Sequence, residues 1–141
     1  MKPTGLCVVV AFALASVATQ AGETPEEVAA AALEASPVFD GHNDVPFALR
    51  MRKNNQINEL DFQDTLDTGE DHPRGVAMHT DITRLRAGKL GAQYWSVYVP
   101  ASLPEPEAVQ MTIEQIDVTK RLIARYPEDL ELALSAKDVE R

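Results

Sequence analysis

The sequence predicts an α/β protein built on a parallel sheet, and two observations carry that reading. Strand-like and helix-like segments alternate from Pro37 to the last residues, the order expected of parallel strands joined by helical crossovers. The run from Gly91 to Val99 is apolar on both faces, as in a strand covered on both sides by helices. This order suits either a doubly wound sheet or the opening units of a (β/α)8 barrel. No Gly-x-Gly-x-x-Gly follows the first strand, which removes the main support for a dinucleotide-binding sheet.

Each element has a local signature. Thr24-Pro25-Glu26-Glu27 is a helix start, with Thr24 as cap, Pro25 in the first turn and Glu27 completing a capping box. Ser36-Pro37 ends that helix, and a first strand runs from about Pro37 to Gly41. A short helix over Phe47 to Lys53 carries Arg50, Arg52 and Lys53, read as a solvated basic face. Asn54 to Arg74 has no sustained period and reads as a long surface loop, of the kind that forms lids or rims. Its acids, Asp61, Asp64, Asp67, Glu70 and Asp71, lack the alternating order of a calcium loop. His72 is expected to be exposed there.

A short helix from Ile82 ends at Gly88, and the second strand, Gly91 to Val99, stops at Pro100. Tyr94, Trp95 and Tyr98 are expected in the core. Gln93 is the odd polar residue of that strand, and a buried amide needs a partner. Pro104 opens the longest helix, with Val109, Ile113, Ile116, Lys120 and Ile123 on one stripe, widened by Leu122 and Tyr126. Leu130, Leu132 and Leu134 alternate as a third strand, and a further helix begins at Ser135.

Composition narrows the function. With 45% hydrophobic and 25% charged residues, the chain can bury a core and is not disordered by composition. Its 13 basic against 22 acidic residues, net −9, exclude a nucleic-acid binder that works by neutralising phosphates. Residues 1–21 read as an export signal: Lys2, the apolar run Leu6 to Ala15, then small residues at Ser16-Val17-Ala18 or Thr19-Gln20-Ala21 for cleavage. The run is too short for a membrane anchor and lacks a stop-transfer flank. The protein is therefore expected in the periplasm or outside the cell. The single cysteine, Cys7, lies inside the signal, so the mature chain has no disulfide.

The chemistry centres on Phe39-Asp40-Gly41-His42-Asn43-Asp44, directly after the first apolar run. Side chains alternate faces in an extended chain, so His42 and Asp44 leave on the same side. An imidazole and a carboxylate so placed can reach one divalent ion, and both suit zinc. The alternative is a polar turn that serves only the backbone. A second pair, His79-Thr80-Asp81, stands at a helix start, where Thr80 or Asp81 caps. His79 is accordingly given a structural place.

Asp40-Gly41-His42-Asn43-Asp44-Val45-Pro46 resembles the opening signature of the membrane (renal) dipeptidase family of zinc metallopeptidases. His79-Thr80-Asp81-Ile82 with Arg84-Leu85, then Gly91-Ala92-Gln93-Tyr94-Trp95-Ser96-Val97-Tyr98-Val99-Pro100, is similar to the same family in order and spacing. The resemblance runs from about Pro37 to the end and covers only the first part of a family member. It favours the barrel, and makes residues 22–141 its truncated N-terminal part, since about eight strands and some 250 residues are typical.

The resemblance implies zinc-dependent hydrolysis of dipeptides, with two zinc ions sharing a bridging carboxylate. His42 and Asp44 match ligands of the first ion. The bridging Glu, later His ligands and proton-handling residues are expected beyond Arg141, so no catalytic residue is expected within this chain, and the chain alone should be inactive. Dipeptides are the implied substrates, a homodimer is left open for the full-length protein, and a membrane anchor is undecided. Two other readings stand beside this one. The first is an exported α/β binding module without metal. The second is another amidohydrolase-like metal-dependent hydrolase, although those commonly open with His-x-His where this chain has His-x-Asp.

Overall fold

A computed structural model describes residues 23–36, 38–70 and 72–140; the expected export signal lies outside them. Two strands, β1 (Val38–Asn43) and β2 (Leu90–Trp95), pair in parallel. Helix α1 (Pro25–Ala35) precedes β1, and α2 (Val45–Lys53) and α3 (Ile82–Ala87) lie in the crossover. Beyond β2 come the 21-residue α4 (Glu105–Arg125) and the short α5 (Ala136–Val139).

The helix starts follow local chemistry. At α1 the Thr24 hydroxyl accepts from the Glu27 N–H while the Glu27 carboxylate accepts from the Thr24 N–H, the expected capping box. At α3 the cap is Asp81, whose Oδ1 accepts from the Arg84 N–H at 2.8 Å. Helix α2 ends on Asn54 at φ 50°, a left-handed position that Asn tolerates better than most residues.

The core is made by Val45 and Leu49 of α2, Leu60, Phe62 and Met78 of the crossover, Ile82 of α3, and Val118 and Leu122 of α4. Three of these lie in or beside the stretch read as a surface loop. The described residues from 54 to 70 and 72 to 81 instead form a folded lobe with two 3-10 turns, Ile57–Glu59 and Leu66–Gly69. Phe62 stands edge-on to Trp95, with centroids 5.7 Å apart, and its N–H donates to the Tyr126 hydroxyl at 2.9 Å. Asp61 and Asp64 close tight turns by accepting from the N–H groups two residues ahead. Apolar period was an insufficient guide here because the lobe buries isolated residues set between turns.

Buried polar groups fasten the lobe. Asp81 is buried and its Oδ2 accepts from Arg84 Nε at 2.8 Å and from the Thr65 N–H at 3.2 Å. Arg84 also donates to Thr65 Oγ1 at 3.0 Å and to the Met78 carbonyl at 2.9 Å. Thr68 accepts from the Met78 N–H and donates to the Thr65 carbonyl. The basic residues of α2 are not a solvated face. Arg52 donates to the carbonyls of Thr68 and Val76, and Arg50 pairs with Glu114 and donates to Gln115 on α4.

Helix α4 buries the Leu122 edge by which the expected stripe was widened, with Tyr126 packed on the core, and not the centre of that stripe. Gln115, Val118 and Leu122 are buried, whereas Ile113 is 61% exposed and Val109 is exposed too. Residues 113 and 115 lie about 200° apart on a helix, so the two faces are nearly opposite. Gln115 can be buried because its amide accepts from Arg50 and donates to the Tyr98 carbonyl.

The expected third strand does not pair among the described residues. Leu130 to Leu134 runs beside β2 across an open groove of about 1010 Å³, and Leu134 is 84% exposed. Alternation supplies the pattern of a strand, but a strand needs a packed face to hold its register. Of the three aromatics expected in the core, Trp95 packs against it, while Tyr94 is 66% exposed and Tyr98 is also exposed.

The Asp81 hub predicts a pH signature. Burial pushes its carboxyl up, but donors from the Arg84 side chain, the Arg84 N–H and the Thr65 N–H outweigh this and leave it below the usual value. A carboxyl depressed in the folded state stabilises above its unfolded pKa, and that stability is lost as pH falls through the folded value. Asp81→Asn should therefore lower stability by about 1–3 kcal/mol at neutral pH, and the gap should close as acid protonates the wild-type group. Melting temperatures from pH 7 to pH 2 check this; a gap constant over that range contradicts it.

Candidate active site

The site is built on an irregularity in β1. Asp40 pairs with Gln93 and Asn43 with Trp95, so three steps along β1 match two along β2. The extra residue falls at Gly41-His42, and such bulges re-aim side chains and are frequent beside active sites. Asn43 then ties the strand end to the second motif, its Nδ2 donating to Thr80 Oγ1 at 2.9 Å. The Asn43 carbonyl accepts from the Ser96 N–H at 2.8 Å, which keeps the ends of both strands together.

His42 Nε2 lies 3.3 Å from Asp44 Oδ1, with the two side chains 69% and 52% exposed. The route to this approach differs from simple strand alternation. β1 ends at Asn43, and Asp44 has already turned, at φ −100° and ψ 33°, into the start of α2. Asp44 caps no N–H of that helix with its side chain.

Asp40 has another task. Its Oδ1 accepts from the His42 N–H at 3.1 Å and its Oδ2 from Gln93 Nε2 at 2.6 Å. The His42 N–H first, and the Gln93 amide second, hold this carboxyl below the usual carboxylate value. Gln93 in turn accepts from the Trp95 indole N–H at 2.6 Å. Sequence reasoning marked Gln93 as a polar residue in need of a partner. It had no means of finding Asp40, whose register opposite Gln93 depends on the strand pairing.

The other histidines lie apart from this arrangement. His72 is half-buried rather than exposed, and its Nδ1 accepts from the Arg74 N–H. His79 is exposed, and Asp81 of the same motif is committed to Arg84 and Thr65. Among the described residues no three His, Cys, Asp or Glu side chains converge as a metal would require. No described helix is long and apolar enough to cross a membrane.

The described elements are a mixed α/β arrangement with a parallel strand pair and an imidazole–carboxylate pair at one strand end; comparison with known proteins gives the family. The sequence model of the membrane dipeptidase family (peptidase family M19) matches residues 26–141, and the chain belongs to that family. It is 39% identical over 110 residues to dipeptidase 3 of Mus musculus and 38% identical over the same length to dipeptidase 3 of Rattus norvegicus. Each alignment covers 78% of this chain, which spans about a fifth of the length of those relatives, 20% in both cases.

Proposed function

We propose that the complete protein is an exported zinc dipeptidase and that this chain supplies the first strands of its (β/α)8 barrel, with His42 and Asp44 as ligands of one zinc ion. Family membership supports dipeptide hydrolysis. The observation that carries the site is the 3.3 Å approach of an imidazole nitrogen and a carboxylate oxygen, both open to solvent, at the end of β1. Bonds of about 2.0–2.1 Å in a tetrahedral arrangement separate neighbouring ligand atoms by about 3.3 Å, so the pair fits one edge of a zinc site.

Two donors are fewer than a catalytic zinc needs. The bridging carboxylate, the remaining ligands and the groups that move protons are assigned to sequence outside this chain, consistent with its one-fifth coverage of the relatives. When bound, zinc supplies Lewis acidity toward the scissile carbonyl and a source of hydroxide near neutral pH. His42 contributes a neutral imidazole nitrogen, and Asp44 a carboxylate whose charge offsets that of the ion. The chain by itself is inactive in this reading.

The reading is tested by zinc stoichiometry alongside dipeptide hydrolysis in the full-length protein. His42→Ala and Asp44→Asn should each lose zinc and lower kcat by more than the roughly 100-fold that outer partners can cost. His79→Ala should keep both. Loss of zinc in His79→Ala, with two ions and full activity retained in His42→Ala, would assign the site to the wrong motif.

Export rests on Lys2 and the Leu6 to Ala15 run. N-terminal sequencing of the secreted protein should begin at Thr19 or Gly22. An intact Met1 on protein retained in the cytoplasm would remove this part of the proposal.

A further inference from the structure

The route from the core to His42 is a one-way chain of hydrogen bonds. Trp95 packs edge-on against the fully buried Phe62, so its indole is held by the core. An indole N–H can only donate. It donates to Gln93 Oε1 at 2.6 Å, which leaves the Gln93 NH2 group facing Asp40. That NH2 group can only donate, and the Asp40 carboxylate can only accept. The other Asp40 oxygen accepts from the backbone N–H of His42, inside the bulge where the ladder between β1 and β2 is interrupted.

We infer that Gln93 is a positioning residue for the metal site, acting through Asp40 to set the backbone pose of His42. The inference rests on the reading of His42 as a zinc ligand. The register irregularity leaves His42 without a paired residue on β2, and the Asp40 carboxylate accepts its N–H. Without Gln93, Asp40 loses the contact that aims its carboxylate, and His42 is no longer held to one direction. Side chains that orient a first ligand typically change metal affinity 10–100-fold when removed.

The polarity of the chain makes the idea testable beyond a loss of stability. In Asp40→Asn, an amide that keeps its oxygen toward the His42 N–H turns its NH2 toward the NH2 of Gln93, and two donors then face one another. Gln93 cannot turn over while Trp95 donates to it. Trp95→Phe removes that donor and lets Gln93 present its oxygen instead.

The measurement is zinc affinity of the full-length protein by chelator competition, with circular dichroism and melting curves confirming that each variant is folded. Gln93→Met and Asp40→Asn should each bind zinc about tenfold more weakly or worse. The double variant Asp40→Asn with Trp95→Phe should bind more tightly than Asp40→Asn alone, although Trp95→Phe on its own gains nothing. Wild-type zinc affinity in folded Gln93→Met and Asp40→Asn would overturn the inference, as would Trp95→Phe adding a further loss to Asp40→Asn. His42→Ala separates the two levels. If it loses zinc while Gln93→Met does not, only the positioning role fails; if it keeps its zinc, the ligand assignment fails and the positioning role falls with it.

Discussion

Two parallel strands cannot be joined by a tight turn, so pairing β1 with β2 commits the residues between Asn43 and Leu90 to a crossover. That crossover holds α2, the folded lobe and α3, and it provides most of the core. The same pairing puts the C-terminal ends of both strands side by side. It thereby sets Asp40 opposite Gln93 and brings the His42 bulge next to Trp95. The site is a consequence of strand direction before it is a matter of side-chain chemistry.

The crossover holds its shape through polar contacts that are themselves buried. Asp81, Thr65, Thr68 and Arg84 exchange hydrogen bonds around the Met78 backbone, and Arg52 reaches across from α2 to two carbonyls of the lobe. A buried network of this kind stabilises only if every member is satisfied. It also distinguishes the two His-x-Asp motifs by what their carboxylates contact. Asp81 is consumed by the network, while the Asp44 side chain remains half exposed, caps no helix N–H and stands beside an imidazole.

Much of this was legible in the residues because it rests on local chemistry. The Thr24 box, the Asp81 cap, the start of α4 at Pro104 and the polar end of the first strand all follow from side chains acting on backbone a few positions away. What was not legible depends on contacts distant in sequence. Phe62 is buried because Trp95 and Tyr126 meet it, and nothing near Phe62 announces them. Gln115 displaces Ile113 from the buried face of α4 because Arg50 and the Tyr98 carbonyl satisfy its amide. The Leu130 to Leu134 run has the alternation of a strand, but in this chain Leu132 and Leu134 remain exposed. At the site, the approach of His42 to Asp44 was expected from strand alternation but comes from the turn into α2, and the hydrogen bonds from Gln93 to Asp40 and from the His42 N–H to Asp40 required the register of the sheet.

The central claim is that the first His-x-Asp motif, and not the second, holds a zinc ion at the end of β1. Anomalous scattering at the zinc absorption edge, from crystals of the full-length protein, tests it most directly. The account predicts a peak within about 2.0–2.2 Å of a His42 ring nitrogen and an Asp44 carboxylate oxygen. A zinc ion bound with neither of these residues, or with His79 in the place of His42, would contradict it.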